Sequence, residues 1–195
     1  MRSWPEEVER IAVASPDVVT AWRGVEEADV ESVRRSVGRL VGRGSAPRIL
    51  AELDALADEL VAAVGALPDG AIDLPGGEAD WTVAETIGHV ASARAGLVLA
   101  ASLAASGRWP QDAPPVVPGV PGAAGVDRVE LIAKVEQSRR LIARVGPRVE
   151  GHETDPCPLE HPLAGRLRCG EWLLFTGVHD VMHLEQLHRI GAGLG

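Results

Sequence analysis

The chain has 195 residues, of which 46% are hydrophobic, and this predicts one globular domain with a sizeable core. Its formal net charge of −9 at pH 7 argues against a nucleic-acid partner, because phosphate binding requires a dense basic surface. No uninterrupted apolar run approaches the roughly 18–20 residues that span a bilayer, the charged N-terminus lacks a signal-peptide core, and two cysteines make no disulfide framework. We therefore expect a cytoplasmic protein with neither nucleic acid nor a membrane as partner.

Residues 1–45 predict a helical extension that precedes the main domain. Ser15-Pro16 is typical of a helix start, with a capping serine followed by proline at the first helical position. Further along, Val30, Val33 and Val37 repeat at helical spacing. An extension of this length cannot sustain its own core. We expect it to pack on the rest of the chain or on a partner chain, which is one route to a homodimer.

Residues 46–195 predict the main domain, because four segments there have the apolar periodicity of amphipathic helices. These segments are residues 45–67, 82–106, 126–149 and 170–190. Four such helices hide their apolar faces best by packing together. The sequence therefore predicts an all-α protein, a four-helix bundle with an additional N-terminal helical extension.

Two long connections, residues 107–125 and 151–168, are rich in proline and glycine. Neither has the two-residue alternation of a sustained strand. Loops of this length are uncommon in compact domains and are often functional. The first is long enough for a crossover or a lid, although each loop could simply span the length of the bundle.

The last predicted helix carries His179 and His183, which are four residues apart. In a helix this spacing places both rings on one face, close enough to share a metal ion. The two histidines belong to a stripe that advances in alternating steps of four and three residues, as the inward seam of a bundle does. The stripe consists of Trp172, Thr176, His179, His183, Gln186 and Ile190.

A third histidine, His89, lies in an apolar stretch of the second predicted helix. Thr82 and Glu85 form a capping-box pattern at the start of that helix. A lone inward histidine is usually a satisfied core residue, but three on two inward faces would each bear a desolvation cost that metal coordination offsets. Three neutral imidazoles would leave a tetrahedral ion with an open position for water or a thiolate.

The stretches "DWTVAETIGHV" and "HPLAGRLRCGEWLLFTGVHDVMHLEQL" together resemble the DinB/YfiT-like metalloprotein superfamily, most closely its DinB-like branch. The resemblance covers roughly residues 46–190 and leaves the N-terminal extension without a counterpart. It implies a four-helix bundle with a three-histidine site for a divalent metal, commonly zinc or nickel. By position the ligands would be His89, His179 and His183. Many of these proteins form dimers.

The resemblance also implies a range of functions. Relatives include S-transferases that use the thiols mycothiol or bacillithiol, a mycothiol-dependent isomerase, and many proteins with no assigned reaction. We therefore expect a metal-dependent enzyme, with a thiol-dependent S-transferase as the leading hypothesis and a small-molecule substrate. A metal-dependent hydrolase is the enzymatic alternative. A non-enzymatic metal-binding protein, with a structural or stress-response role, is the third.

Secondary candidates flank the three histidines. Gln186 and Glu85 each lie about one turn from a predicted ligand and could orient it, although the capping box accounts for Glu85 more simply. His161 could lie at the mouth of the site or fix its own loop. Cys157, His161 and Cys169 could form a separate zinc site, but their spacing fits no common pattern.

Overall fold

The computed structural model describes residues 3–25, 29–76, 80–117 and 119–193, which are predominantly helical. The predicted helical class is confirmed. The α-helices of the described residues are α1 Trp4–Ala14, α2 Pro16–Arg23, α3 Val30–Gly38, α4 Ala46–Ala66, α5 Val83–Ala105, α6 Arg128–Val145 and α7 Cys169–Gly193. Each of the four long helices begins and ends within a few residues of its predicted segment.

The four long helices enclose the core. α4 and α5 each pack against both α6 and α7, and these contacts favour the predicted four-helix bundle. The core is filled by large fully buried side chains such as Trp172, Phe175 and Leu53. Burial of one such side chain stabilises the fold by about 1.5–3 kcal/mol.

α5 begins at the capping box predicted from its sequence. The Thr82 hydroxyl accepts a hydrogen bond from the backbone nitrogen of Glu85 at 3.2 Å. The Glu85 carboxylate accepts in return from the backbone nitrogen of Thr82 at 2.8 Å. These reciprocal bonds satisfy backbone donors that the first turn of a helix leaves without partners, and so fix where α5 starts.

The N-terminal helices pack against α4 and α7. The buried Glu52 of α4 accepts a hydrogen bond from the backbone nitrogen of Val18 at 2.9 Å, in the first turn of α2. Ser15 donates through its hydroxyl to the carbonyl oxygen of Glu52 at 3.2 Å. α2 starts at Pro16, as the Ser15-Pro16 pair predicts.

Helix α1 was not among the predicted elements, although its start has a readable signal. Ser3 and Glu6 form a capping box, and Pro5 lies in the first turn. The sequence "SWPEE" thus carries both a cap and a proline at positions typical of a helix start.

Residues 151–168, interpreted from the sequence as a long loop, contain two short strands. Strands β1 Pro156–His161 and β2 Gly165–Arg168 form an antiparallel hairpin. Each strand is too short for a sustained alternation, and prolines interrupt the first of them, so the two-residue pattern is weak. The hairpin is held by its inward side chains, since Cys157, Leu159 and Leu167 are buried.

The connection from α5 to α6 runs back along α5. It leaves that helix with a bond from Arg108 nitrogen to the Leu103 carbonyl at 2.8 Å, and returns to its first turns with a bond from Gly122 nitrogen to the Glu85 carbonyl at 2.8 Å. In between, Val117 nitrogen donates to the carbonyl of Glu160 in β1 at 2.8 Å. The described part of this segment therefore covers α5 beside the hairpin.

Of the helices in the described residues, α5 is long and apolar enough to cross a bilayer by length and composition alone. Half of its most apolar stretch is buried within the protein. Its middle carries Arg94, which is fully buried. These are features of a core helix.

Candidate metal centre

The structure brings His89, His179 and His183 together where α5 and α7 cross. One ligand nitrogen from each ring lies within 4.8 Å of the others. The ring centroids are 4.5 Å apart for His179 and His183, and 5.3 and 5.6 Å from His89 to these two. His179 and His183 are buried, and His89 is partly exposed. The helical spacing of the two α7 histidines thus places both rings on the face that meets α5.

The ring of His183 is oriented by Gln186. The His183 Nδ1 lies 2.7 Å from the Gln186 side-chain oxygen, and the Gln186 side-chain nitrogen donates to the carbonyl oxygen of Gly76. That carbonyl can only accept, so it fixes which end of the amide faces His183. The amide oxygen in turn requires a proton on Nδ1. His183 therefore presents a lone pair at Nε2.

His89 is oriented in the same way by a backbone carbonyl. Its Nδ1 lies 2.9 Å from the carbonyl oxygen of Val120, in the segment that covers α5. This acceptor places the ring proton on Nδ1 and leaves the lone pair on Nε2. The covering segment can approach α5 so closely because two glycines meet there, since a Cβ on Gly122 would lie 2.6 Å from the Cα of Gly88.

His179 is the most enclosed of the three rings. Its Nε2 lies 3.3 Å from Nε2 of His183, and its buried Nδ1 has no hydrogen-bond partner among the described residues. Burial, followed by the charges of His183 and His89, holds the pKa of His179 well below its ordinary value. The ring is thus neutral at pH 7, which is the state in which imidazole binds metals.

These donors fit a divalent metal. Metal–nitrogen bonds of about 2.0–2.1 Å in a tetrahedral site place two ligand nitrogens about 3.3 Å apart, and the two α7 histidines have this separation. Nitrogens of neutral imidazoles suit zinc, nickel, copper and iron. A bound ion would take the place of the hydrogen bond that the two α7 ring nitrogens can otherwise share. Three histidines that could hold a metal ion are therefore present.

The other sequence candidates divide into two groups. Gln186 contacts a candidate ligand, whereas the hydrogen bonds of Glu85 go to Thr82 and form the capping box. His161 accepts a bond at Nδ1 from the backbone nitrogen of Leu163 at 3.0 Å, so it fixes the hairpin turn. Burial lowers the pKa of His161 to about 4. His161 also lines the same cleft as the three candidate ligands.

The alternative zinc site at Cys157, His161 and Cys169 does not form a cluster in the described part of the chain. The group of potential ligands found there is that of His89, His179 and His183. Cys157 and Cys169 are both buried free thiols.

A buried ion pair, which was not predicted from the sequence, lies beside the site. Arg94 of α5 and Asp180 of α7 are both fully buried and paired. Arg94 also donates to the carbonyl of Leu53 in α4 at 2.8 Å and to the hydroxyl of Ser138 in α6 at 3.3 Å. One guanidinium thereby joins all four long helices. A lone arginine in the apolar stretch "HVASARAGLVLA" was the available signal, because a buried charge needs a partner.

A cleft of about 1380 Å³ opens onto the three histidines. Residues of α5, of α7, of the hairpin and of the segment after Arg108 line it. Trp22, Arg23 and Val25, from the N-terminal extension, also line it. Trp22 packs against Trp4, which packs against His188 next to Arg189, so these residues lie at the end near the C-terminal part of α7. The volume exceeds the roughly 300–1,000 Å³ of typical ligand pockets.

The chain was also compared with known proteins. The family model of the DinB superfamily matches residues 52–187, a range that includes all three histidines and excludes α1–α3. A search of curated proteins and a search of solved structures found no match. Because the matched range covers more than half of its length, the chain belongs to the DinB superfamily.

Proposed function

We propose that this protein is a divalent-metal-dependent S-transferase that joins a low-molecular-weight thiol to an electrophilic small molecule. His89, His179 and His183 would hold the ion, which is zinc or nickel. The observation that supports this choice is that the cleft extends from the three histidines in two opposite directions, giving room for two reactants.

The opposite directions follow from the antiparallel course of α5 and α7. Gln186 contacts Gly76, just before α5, while Asp180 pairs with Arg94 further along it. On α5 the lining continues past His89 to Leu103, about 21 Å along the helix. On α7 it continues past His183 to Ile190, about 10 Å the other way. The histidines therefore lie between two spaces.

The chain's own residues supply orientation. Gln186 and the Val120 carbonyl fix the two rings they contact, and the cleft walls hold the reactants on either side. A bound divalent ion supplies Lewis acidity that lowers the pKa of a thiol or of water. In the proposed transfer the thiol sulfur forms a bond to the electrophilic carbon, the leaving group departs with its bonding pair, and the thiol proton passes to solvent or to the leaving group.

A hydrolase would need one substrate and water, so one of the two spaces would have no occupant. A purely structural metal would not need a large cleft at its side. We further propose that the protein is cytoplasmic, with neither nucleic acid nor a membrane as partner; the acidic charge supports the exclusion of nucleic acid. A homodimer is also proposed, and light scattering would measure it.

The test combines metal content with thiol binding. We expect about one equivalent of zinc or nickel in the purified protein, and less than a tenth of that in His179→Ala or His183→Ala. The control His152→Ala removes an exposed histidine that bonds Asp155 and should keep its metal. Isothermal titration of the loaded protein with N-acetylcysteine and with mycothiol should give saturable binding.

The competing functions predict different results. Absence of thiol binding at millimolar concentration would exclude the transferase. Release of acid from a panel of esters and amides, lost in His183→Ala, would indicate a hydrolase instead. Unfolding on chelation, with neither binding nor turnover, would indicate a structural metal.

A further inference from the structure

The two ends of the cleft differ in charge. The lining residues Arg23, Glu185 and Arg189 all belong to the end near the C-terminal part of α7. The end along the second half of α5 is lined by side chains without charge among the described residues. We name this end the apolar arm, defined by Gly96, Leu99, Ala100, Leu103, Trp109 and Val117.

The apolar arm is open space and not a filled core. A Cβ built on Gly96 meets no atom within 4 Å, although Gly96 lies in the middle of α5. Glycine in a helix interior costs about 0.5–1 kcal/mol relative to alanine, so helix stability does not explain its presence. Leu99, Ala100 and Trp109 are only partly buried, although they pack against the core. The arm therefore keeps apolar surface available beside the histidines.

We propose that the apolar arm binds an alkyl or acyl chain of the electrophilic substrate, whose reactive carbon then lies at the three histidines. This inference rests on the proposed function and deepens it by naming a substrate class. The charged end, with Arg23 and Arg189, would take the hydrophilic thiol. From His89 to the far end of the arm at Leu103 the distance along α5 is about 21 Å, which can accept a chain of many carbons.

The chemistry of the arm predicts a dependence on chain length. Each methylene group moved from water into an apolar environment contributes about fourfold in affinity. A ten-carbon probe should therefore bind much more tightly than a four-carbon probe with the same head group. The gain should stop when the chain fills the arm.

Isothermal titration with decanoate and butyrate tests the inference, using the full chain both metal-free and loaded with zinc. We expect decanoate to bind at least 50-fold more tightly than butyrate. Gly96→Leu would fill the arm and weaken decanoate at least tenfold, while butyrate changes little. The matched control is Gly65→Leu, in α4, where a Cβ also meets nothing within 4 Å. The control should bind both probes like the wild type.

Gly96→Leu should fold, because leucine favours a helix more than glycine does. Circular dichroism and the melting temperature check this. A second variant, Ala100→Glu, places a charge in the arm and should weaken decanoate similarly. Equal binding of the two probes, or decanoate binding unchanged in both variants, would overturn the inference even if zinc binds. Selective decanoate binding by a protein that binds no zinc would contradict the proposed function, whereas the inference that the apolar arm binds an alkyl chain would stand.

Discussion

Backbone carbonyls outside the two ligand helices decide which nitrogen faces the candidate site in two of the three rings. Gly76 acts on His183 through Gln186, and Val120 acts directly on His89. Such outer contacts typically change metal affinity by 10- to 100-fold. Gln186 was predictable from its place on the α7 stripe. The two carbonyls were not, because every residue has a backbone carbonyl and the sequence does not show which of them approaches a given ring.

Replacing Gln186 by leucine tests this orientation. The variant removes the acceptor of the His183 Nδ1 proton, and we expect zinc affinity to fall 10- to 100-fold. Competition with a chelator of known affinity measures it. The control Gln137→Leu alters an exposed glutamine on α6 and should leave affinity unchanged. Equal affinities in the two variants would contradict the role of Gln186.

Gly122→Ala tests the contact between the covering segment and α5. The added Cβ would lie 2.6 Å from the Cα of Gly88 and 2.7 Å from the carbonyl oxygen of Glu85, so the segment must move. We expect the Val120 carbonyl to leave His89 and zinc affinity to fall about tenfold. Gly119→Ala, where nothing lies within 4 Å, should bind zinc normally. Wild-type affinity in both would disprove this account of the glycines.

Between elements, the pair of Arg94 and Asp180 connects α5 with α7, and the other donors of Arg94 reach α4 and α6. Burial raises the pKa of Asp180, and the Arg94 guanidinium opposes this rise. Removing one partner of a buried pair costs about 3–5 kcal/mol, because the other charge is left uncompensated.

We therefore expect Arg94→Met to lower the free energy of unfolding by about 3–5 kcal/mol in urea titrations. The double variant Arg94→Met with Asp180→Leu removes both charges and should recover most of this loss. Additive losses in the double variant would show that the two residues act independently.

The two thiols lie where the hairpin meets α7: Cys157 is in β1 and Cys169 is the first residue of α7. Burial, aided by the charges of Cys157 and Asp155, raises the pKa of Cys169 to about 12, and burial also raises the pKa of Cys157. Because the folded pKa of Cys169 exceeds its unfolded value, its contribution to stability is complete below about pH 9 and is lost as pH rises toward 12.

Both cysteines should therefore resist a thiol reagent in the native protein at pH 8, since the thiolate is the reactive form. Labelling with a chromogenic disulfide measures this, and two thiols should react at once in urea. Rapid labelling of the native protein would mean that the thiols are accessible and that the hairpin does not pack against α7 as described.

The long helices could be predicted because each carries enough turns for its apolar period to stand out. The hairpin could not, because Cys157 and Leu159 are too few positions to establish an alternation, and β2 has only four residues. His89 could be grouped with His179 and His183 because all three were expected on inward helix faces, and the family resemblance supported the same set. Their meeting point could not be derived, since spacing along the chain says nothing about which helices cross. The apolar arm could not be predicted from the sequence for the same reason, because its walls come from segments that are distant along the chain.

At the scale of the whole molecule, the N-terminal extension lies outside the family match yet belongs to the same core. Val18 is fully buried, and Gly177 of α7 leaves it the space that a Cβ would take. Trp22 and Arg23 also line the cleft. The extension thus contributes to both stability and the site.

Val18→Asp should consequently lower the free energy of unfolding by about 3–5 kcal/mol, because it buries an unpaired charge. Val13→Asp is the matched control in the same extension, since Val13 is 85% exposed, and it should change stability by less than about 0.5 kcal/mol. Thermal melts of the two variants measure the difference. Similar melting temperatures would mean that the extension does not pack as described.

The central claim is that His89, His179 and His183 bind one metal ion at a single point. Anomalous diffraction from crystals of the zinc-loaded protein, recorded at the zinc edge, tests this claim most directly. We predict one strong peak with the three Nε2 atoms at about 2.0–2.1 Å from it. A zinc peak elsewhere, or none in a protein that keeps its fold, would contradict the account.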